Sequence, residues 1–278
     1  MSEAIEQLKA NLPTHPPVDS LKPLEEDYTG LRILAVHAHP DDESSKGAGT
    51  ASAYIARGAR FMVATMTGGE RGDILNEEVD KSPRAHRDLP GLRRAEMAAA
   101  REIMGIEHRW IGFFDSGLPE GDPMPPLPFG SFGTMPLDRA AAPLVRLVRE
   151  YRPHIIITYD EIGGYPHPDH IMTHKVAVEA FEKAGDPDAY VGEGEPWTPL
   201  KLYYDRAFNP ERTLALHEHL LDTHGESLLS GWIENLAHRA SSGEAPRHET
   251  TTRILVHEHF EQRDQALRAH ASPCPANS

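Results

Sequence analysis

The chain has 278 residues, 39% of them hydrophobic, and a formal net charge of −15. That is enough apolar material for a sizeable core, and so acidic a balance argues against nucleic acid or an anionic membrane as partner, because both need a basic face. Cys274, the single cysteine, lies in the tail, so neither a disulfide framework nor a thiolate metal site is expected.

Residues 1–29 carry prolines at 13, 16, 17 and 23 and read as an extended arm. No basic leader precedes an apolar run, and no apolar stretch approaches ~18 residues, so a cytoplasmic, soluble protein is expected. From residue 31 onward, strand and helix patterns alternate. The short apolar run "LRILAVHA" (31–38) is of the kind a parallel sheet buries on both faces. "SSKGAGTASAYIARG" (44–58) is rich in small residues and suits a helix packed close to a sheet. "RFMVATMT" (60–67) is a second strand, and "GLRRAEMAAAREIMG" (91–105) is a helix closed by glycine. "HRWIGFF" (108–114), "LDRAAAPLVRLVREY" (137–151), "HIIITYD" (154–160) and "PDHIMTHKVAVEAFEKAG" (168–185) continue as strand, helix, strand and helix. After 197 come "WTPLKLYYDRAF", a helical stretch around 210–223, "TTRILVHEHF" and the helix "EQRDQALRAHA".

The alternation predicts an α/β fold, a Rossmann-like mostly parallel sheet with helices on both faces, plus a small C-terminal subdomain. One domain over 30–271 is expected, with "SPCPANS" as a frayed tail. Two long loops, 68–90 and 115–136, follow strand ends, where open α/β sheets bind ligands.

His39, Asp41, Asp42 and Glu43 sit where the first strand ends and its helix begins. A phosphate site would place glycines there; carboxylates favour a cation. An imidazole and a carboxylate three residues apart around a proline turn can both reach one small ion. The plain alternative is that Asp42 caps the helix and Glu43 favours its dipole. A second cluster, "GGYPHPDHIMTH" (163–174), also follows a strand and opens a helix, with His167, Asp169 and His170. The two clusters converge on one sheet edge and together supply His, Asp and His, a set that suits Zn²⁺ with a position left for water. Asp41 and His167 remain as a general base and a second polar group.

"AHPDDE" (38–43) paired with "HPDH" (167–170) resembles the signatures of the zinc-dependent LmbE-like de-N-acetylases. Within that family, "VHAHPDDESSKG", "TGGERGDILN", "FFDSGLPEGDPMPPLP", "YDEIGGYPHPDH", "GEPWTPLKLYY" and "QRDQALRAHA" are similar to the amidases of mycothiol S-conjugates. The resemblance runs from about residue 31 to 271. It implies a Zn²⁺ cofactor, or another divalent metal such as Fe²⁺, held by His39, Asp42 and His170, with Asp41 as general base. His167, oriented by Asp169, would stabilise the oxyanion or protonate the leaving amine, and Tyr165 would polarise the carbonyl. Lys46, Arg93 and Asp115 would bind substrate, with Arg93 and Asp115 on the sugar–inositol part and Lys46 on the acylated cysteine.

The implied partner is a small molecule, a mycothiol S-conjugate, in detoxification or in natural-product biosynthesis such as that of lincosamides. No nucleic acid or membrane partner is expected, and a homo-oligomer is compatible. The alternatives are de-N-acetylation of an N-acetylglucosaminyl-inositol and, from another class, a non-catalytic metal-binding module. The chain departs from the amidases in its longer N-terminal arm and in ending at Ser278.

Overall fold

The computed structural model describes residues 3–12, 21–121, 123–206, 210–241, 248 and 250–273. In chain order the helices are α1 (Glu3–Asn11), α2 (Ala48–Ile55), α3 (Glu77–Asp80), α4 (Pro83–Arg87), α5 (Leu89–Met104), α6 (Leu137–Tyr151), α7 (Pro168–Lys183), α8 (Pro210–His224), α9 (Ser230–Ser241) and α10 (Phe260–Ala269). The strands are β1 (Arg32–His37), β2 (Arg60–Thr67), β3 (Glu107–Phe113), β4 (Ile155–Thr158) and β5 (Lys201–Tyr204).

The strands form one sheet in the order β3-β2-β1-β4-β5, every pairing parallel. Side chains alternate across β1. Leu34 and Val36 join a core with Leu144, Val145 and Val148 of α6 and with Val176 and Ala177 of α7. Ile33 and Ala35 face the opposite way, towards Ala51 of α2, Met97 and Ala100 of α5 and Ala266 of α10. Burial on both faces explains why the strands are continuous apolar runs rather than alternating ones. Gly105 closes α5 in the left-handed conformation, φ 72°, where glycine meets no Cβ penalty.

Contacts divide the chain into two compact units: Glu25–Ala207 with Val256–Ser278, and Met1–Leu24 with Phe208–Leu255. The first contains the sheet. The second corrects the expected extended arm, since α1 occupies Glu3–Asn11, ahead of the first proline. Leu8 of α1 is buried, as are Leu214 of α8 and Ile233 and Ala237 of α9, and Lys9 Nζ lies 2.5 Å from Glu218 Oε1. A nine-residue helix is marginal alone; partners more than two hundred residues away supply its packing surface. The sequence reading did not anticipate α9. In the other unit, Ser272, the first residue of the segment expected to fray, is fully buried, while 274–278 lie outside the described residues.

Candidate metal centre at the switch point of the sheet

The strand order reverses between β1 and β4, and open α/β sheets bind ligands at such a switch point, outside the carboxyl ends of the strands. His39, Asp41 and Asp42 follow β1, while Tyr165, His167, Asp169 and His170 follow β4 and enter α7. Three candidate donor atoms meet there. His39 Nδ1 lies 3.3 Å from His170 Nε2 and 3.7 Å from Asp42 Oδ2, and His170 Nε2 lies 3.6 Å from Asp42 Oδ2.

The other ring nitrogens are already committed. His170 Nδ1 donates to the Gly163 carbonyl at 2.9 Å, and His39 Nε2 donates to Asp169 Oδ2 at 3.4 Å with Asp115 Oδ1 at 3.6 Å. Metal-binding histidines are oriented in this way, through carbonyl or carboxylate partners on the far nitrogen. Two ring nitrogens and a carboxylate oxygen facing one another need a cation or a proton between them. A tetrahedral ion with bonds of about 2.0–2.2 Å sets its ligands roughly 3.3–3.6 Å apart. The triangle therefore fits a divalent metal.

Two further groupings contain His39: with His167 and His170, and with Asp115 and Asp169. The acidic one lies on the Nε2 side of His39, where backbone N–H groups already engage the carboxylates. Ser116 N–H donates to Asp169, and Arg71 and Gly117 N–H donate to Asp115.

Burial works against charge on His39, but Asp115, Asp169 and Asp42 outweigh it and lift its pKa to about 10. For His170, burial dominates and lowers the value to about 4, so its ring is neutral. Asp42 is held well below the usual carboxylate range although burial opposes this; the Lys46 ammonium is the largest opposing cause.

The three consecutive acids divide their partners. Asp42 does not cap the helix through its side chain. Its Oδ2 accepts from Tyr159 Oη at 2.6 Å and from the His39 amide at 3.0 Å, and its Oδ1 pairs with Lys46 Nζ. Lys46, expected to face the substrate, is thus engaged with the metal loop, its side chain only 10% exposed. Glu43 is buried against His270, Nε2 to Oε1 2.6 Å. Asp41 adopts φ 112°, a conformation rare for any residue but glycine. Burial first, and then Asp42, raise its pKa to about 6.

His167 caps α7: its Nδ1 accepts the Asp169 amide at 3.1 Å. The expected orientation by Asp169 is thus through the backbone, the carboxylate being turned to His39. A neutral His167 therefore carries its proton on Nε2, and burial first, then the charge of His39, lowers its pKa to about 4. Tyr165 lies edge-on to His170, ring centroids 4.7 Å apart. Arg93 on α5 is buried and donates from Nη2 to the Asp73 carbonyl at 3.2 Å. A Cβ on Gly69, at φ 66°, or on Gly72 would collide with that guanidinium, which accounts for two of the three glycines in "GGERGD". Asp115 is buried beneath His39.

Two groups escaped the sequence reading. Tyr159 stacks on His170, centroids 4.3 Å apart and planes 13° apart, and receives the Ala38 amide at 2.7 Å. His270 sits at the end of α10. Tyr159 lies near the end of the predicted strand 154–160, which points at the site, the one signal that could have found it; His270 carried none beyond its motif.

Fold and cluster together define the class: a parallel α/β protein with a His/Asp centre, able to hold a divalent metal, at its switch point. The pattern of the PIG-L family, GlcNAc-PI de-N-acetylase, matches residues 34–181, and the chain belongs to that family. It is 50% identical over 244 residues to the mycothiol S-conjugate amidase of Streptomyces coelicolor, covering 87% of this chain and 82% of that one. It is 38% identical over 251 residues to the 1D-myo-inositol 2-acetamido-2-deoxy-alpha-D-glucopyranoside deacetylase of Thermobispora bispora, covering 87% and 78%. Among solved structures, N,N'-diacetylchitobiose deacetylase from Pyrococcus horikoshii shares the fold at TM-score 0.58 and 16% identity, over 88% of this chain and 72% of that one. No helix among the described residues is long and apolar enough to cross a membrane.

Proposed function

We propose that this chain is a zinc-dependent amidase that hydrolyses the amide bond of mycothiol S-conjugates, releasing glucosaminyl-inositol and an N-acetyl-cysteine S-conjugate. The observation that carries the chemistry is the triangle of His39 Nδ1, Asp42 Oδ2 and His170 Nε2, with edges of 3.3–3.7 Å. The substrate class follows from 50% identity to a mycothiol S-conjugate amidase over most of both chains. Two imidazoles and a carboxylate suit Zn²⁺, and Fe²⁺ is compatible with the same donors. A divalent metal there lowers the pKa of water and polarises a carbonyl.

Asp41 is the base in this reading. A carboxylate with a pKa near 6 is ionised at neutral pH yet basic enough to accept a proton from the attacking water. It then returns that proton to the amide nitrogen as the C–N bond breaks, leaving a carboxylate and an amine. His167 Nε2–H is a donor for the charge that develops on the carbonyl oxygen, a role its tautomer favours over that of acid, and Tyr165 supports the same oxygen. Asp115 and Asp169 keep His39 turned to the metal. Arg93 and Asp115 are assigned to the sugar–inositol part, while Lys46, paired with Asp42, supports the site itself rather than the acylated cysteine.

De-N-acetylation of N-acetylglucosaminyl-inositol is the second reading, favoured by deacetylase relatives that carry 38% identity across 87% of the chain. One experiment separates them. Metal-loaded protein is incubated with a mycothiol S-conjugate and, separately, with N-acetylglucosaminyl-inositol, and free amine is measured. Faster release from the conjugate is expected. Faster release from the acetyl sugar would favour the deacetylase, and release from neither would leave a metal-binding module.

A further inference from the structure

We propose that Glu43 and His270 form a positioning pair that holds Asp41 in its working conformation, so that the C-terminal segment controls the base. This rests on Asp41 being that base. A residue at φ 112° returns to a commoner conformation unless its surroundings fix it. Three hydrogen bonds fix Asp41. Its amide donates to Glu43 Oε2 at 3.0 Å, and its carbonyl accepts the Ser44 and Ser45 amides, each at 3.0 Å.

Glu43 can serve as that anchor only while its own carboxylate is held. Its side chain is 1% exposed, so water does not hold it. Instead Oε1 accepts from Ser44 Oγ and from His270 Nε2, both at 2.6 Å. Ser44 belongs to the same turn, so among the described residues the one fixed point from outside the turn is His270, itself buried. Neither Glu43 nor His270 touches the ligand triangle. Their influence reaches the chemistry through Asp41.

His270 is fixed in turn by its neighbours Ala271 and Ser272. Ser272 donates its amide and hydroxyl to the two oxygens of Glu96, at 2.9 and 2.7 Å, one turn beyond Arg93 on α5. The Ala271 carbonyl accepts from Asn76 Nδ2 at 3.0 Å, and the Ser272 carbonyl accepts from the Leu75 amide at 3.0 Å. Residues 270–272 therefore join the Asp41 turn, the helix that carries Arg93 and the loop that covers Arg93. A buried ion pair that merely stabilised the fold would have no need to end on the amide of the strained residue.

The test uses full-length, metal-loaded protein with His270→Ala and the milder His270→Gln, whose amide can still donate to Glu43. Crystal structures decide placement whether or not a substrate is known. In His270→Ala, Asp41 should leave the positive-φ region or lose its bond to Glu43; an unmoved Asp41 overturns the proposal. Turnover of a mycothiol S-conjugate decides the consequence. His270→Ala should lower kcat by about 10–100-fold, the scale of a displaced catalytic group, with KM and metal content little changed. His270→Gln should recover most of the loss.

In an Asp41→Asn background, His270→Ala should change kcat by less than about twofold, because two residues acting through one step are not additive. A further full loss in that background would show a general structural role and refute the pair's link to Asp41. If Asp41→Asn alone keeps normal turnover, the base assignment fails instead, while the crystal structures still show whether the pair holds the turn. Should His270→Ala fail to fold, Glu43→Ala, which removes the acceptor of the Asp41 amide, carries the same comparisons, and normal kcat in it would overturn the proposal.

Discussion

Removing the hydroxyl of Tyr159 isolates one strut of the metal loop. Phenylalanine keeps the ring stacked on His170, centroids 4.3 Å apart, so only two hydrogen bonds are lost: the 2.6 Å bond to Asp42 Oδ2 and the 2.7 Å bond from the Ala38 amide. The first is to a charged acceptor and contributes about 1.5–3 kcal/mol; leaving a buried amide unpaired costs a further ~1–3 kcal/mol. The two share one oxygen and are not additive, so a loss of about 2–4 kcal/mol in the metal-free protein is expected. For a chain of this size, each kcal/mol lowers Tm by roughly 2–4 °C. Asp42 is also freed to rotate away from His39 and His170, and loss of such a support typically costs about 10–100-fold in metal affinity. Calorimetry and a competition titration against a chelator measure the two effects. An unchanged or tighter metal affinity in Tyr159→Phe would refute the reasoning, because it would mean that the hydroxyl competes for Oδ2 rather than orienting it.

Asp41→Asn should keep one metal per chain by elemental analysis while turnover falls about 10²–10⁴-fold, the usual value of a general base; near-normal turnover in metal-replete protein would remove Asp41 from that role. Metal affinity should rise with pH: the metal needs His39 Nδ1 unprotonated, and His39 keeps its proton up to about pH 10, so each unit below that value weakens binding about tenfold. A flat affinity between pH 6 and 8 would contradict this. Lys46→Ala removes the counter-charge of Asp42, so kcat/KM should fall equally for a mycothiol S-conjugate and for N-acetylglucosaminyl-inositol. A loss confined to the conjugate would instead mean that Lys46 leaves Asp42 to meet the acylated cysteine.

The sequence by itself determined the sheet and the address of the site. Apolar strands, small-residue helices and glycine stops are local signals, and the parallel alternation leaves one architecture that buries both faces. Because the acids and histidines stand directly after β1 and where the loop from β4 enters α7, strand order delivers them to the switch point. Tertiary structure decided what each one does there. His39, Asp42 and His170 share a triangle, yet nothing local shows that Asp115 and Asp169 take the far nitrogen of His39, or that Lys46 pairs with Asp42. Glu43 read as one of a cation-binding cluster, or else as a dipole-favouring acid, and nothing local pointed to His270, 227 positions away, as its partner. The arm read as extended because its prolines were visible and the surface of α9 was not. Local patterns report what a residue and its neighbours along the chain prefer. The charge a buried carboxylate meets, and the surface a short helix covers, come from distant segments and exist only once the chain has folded.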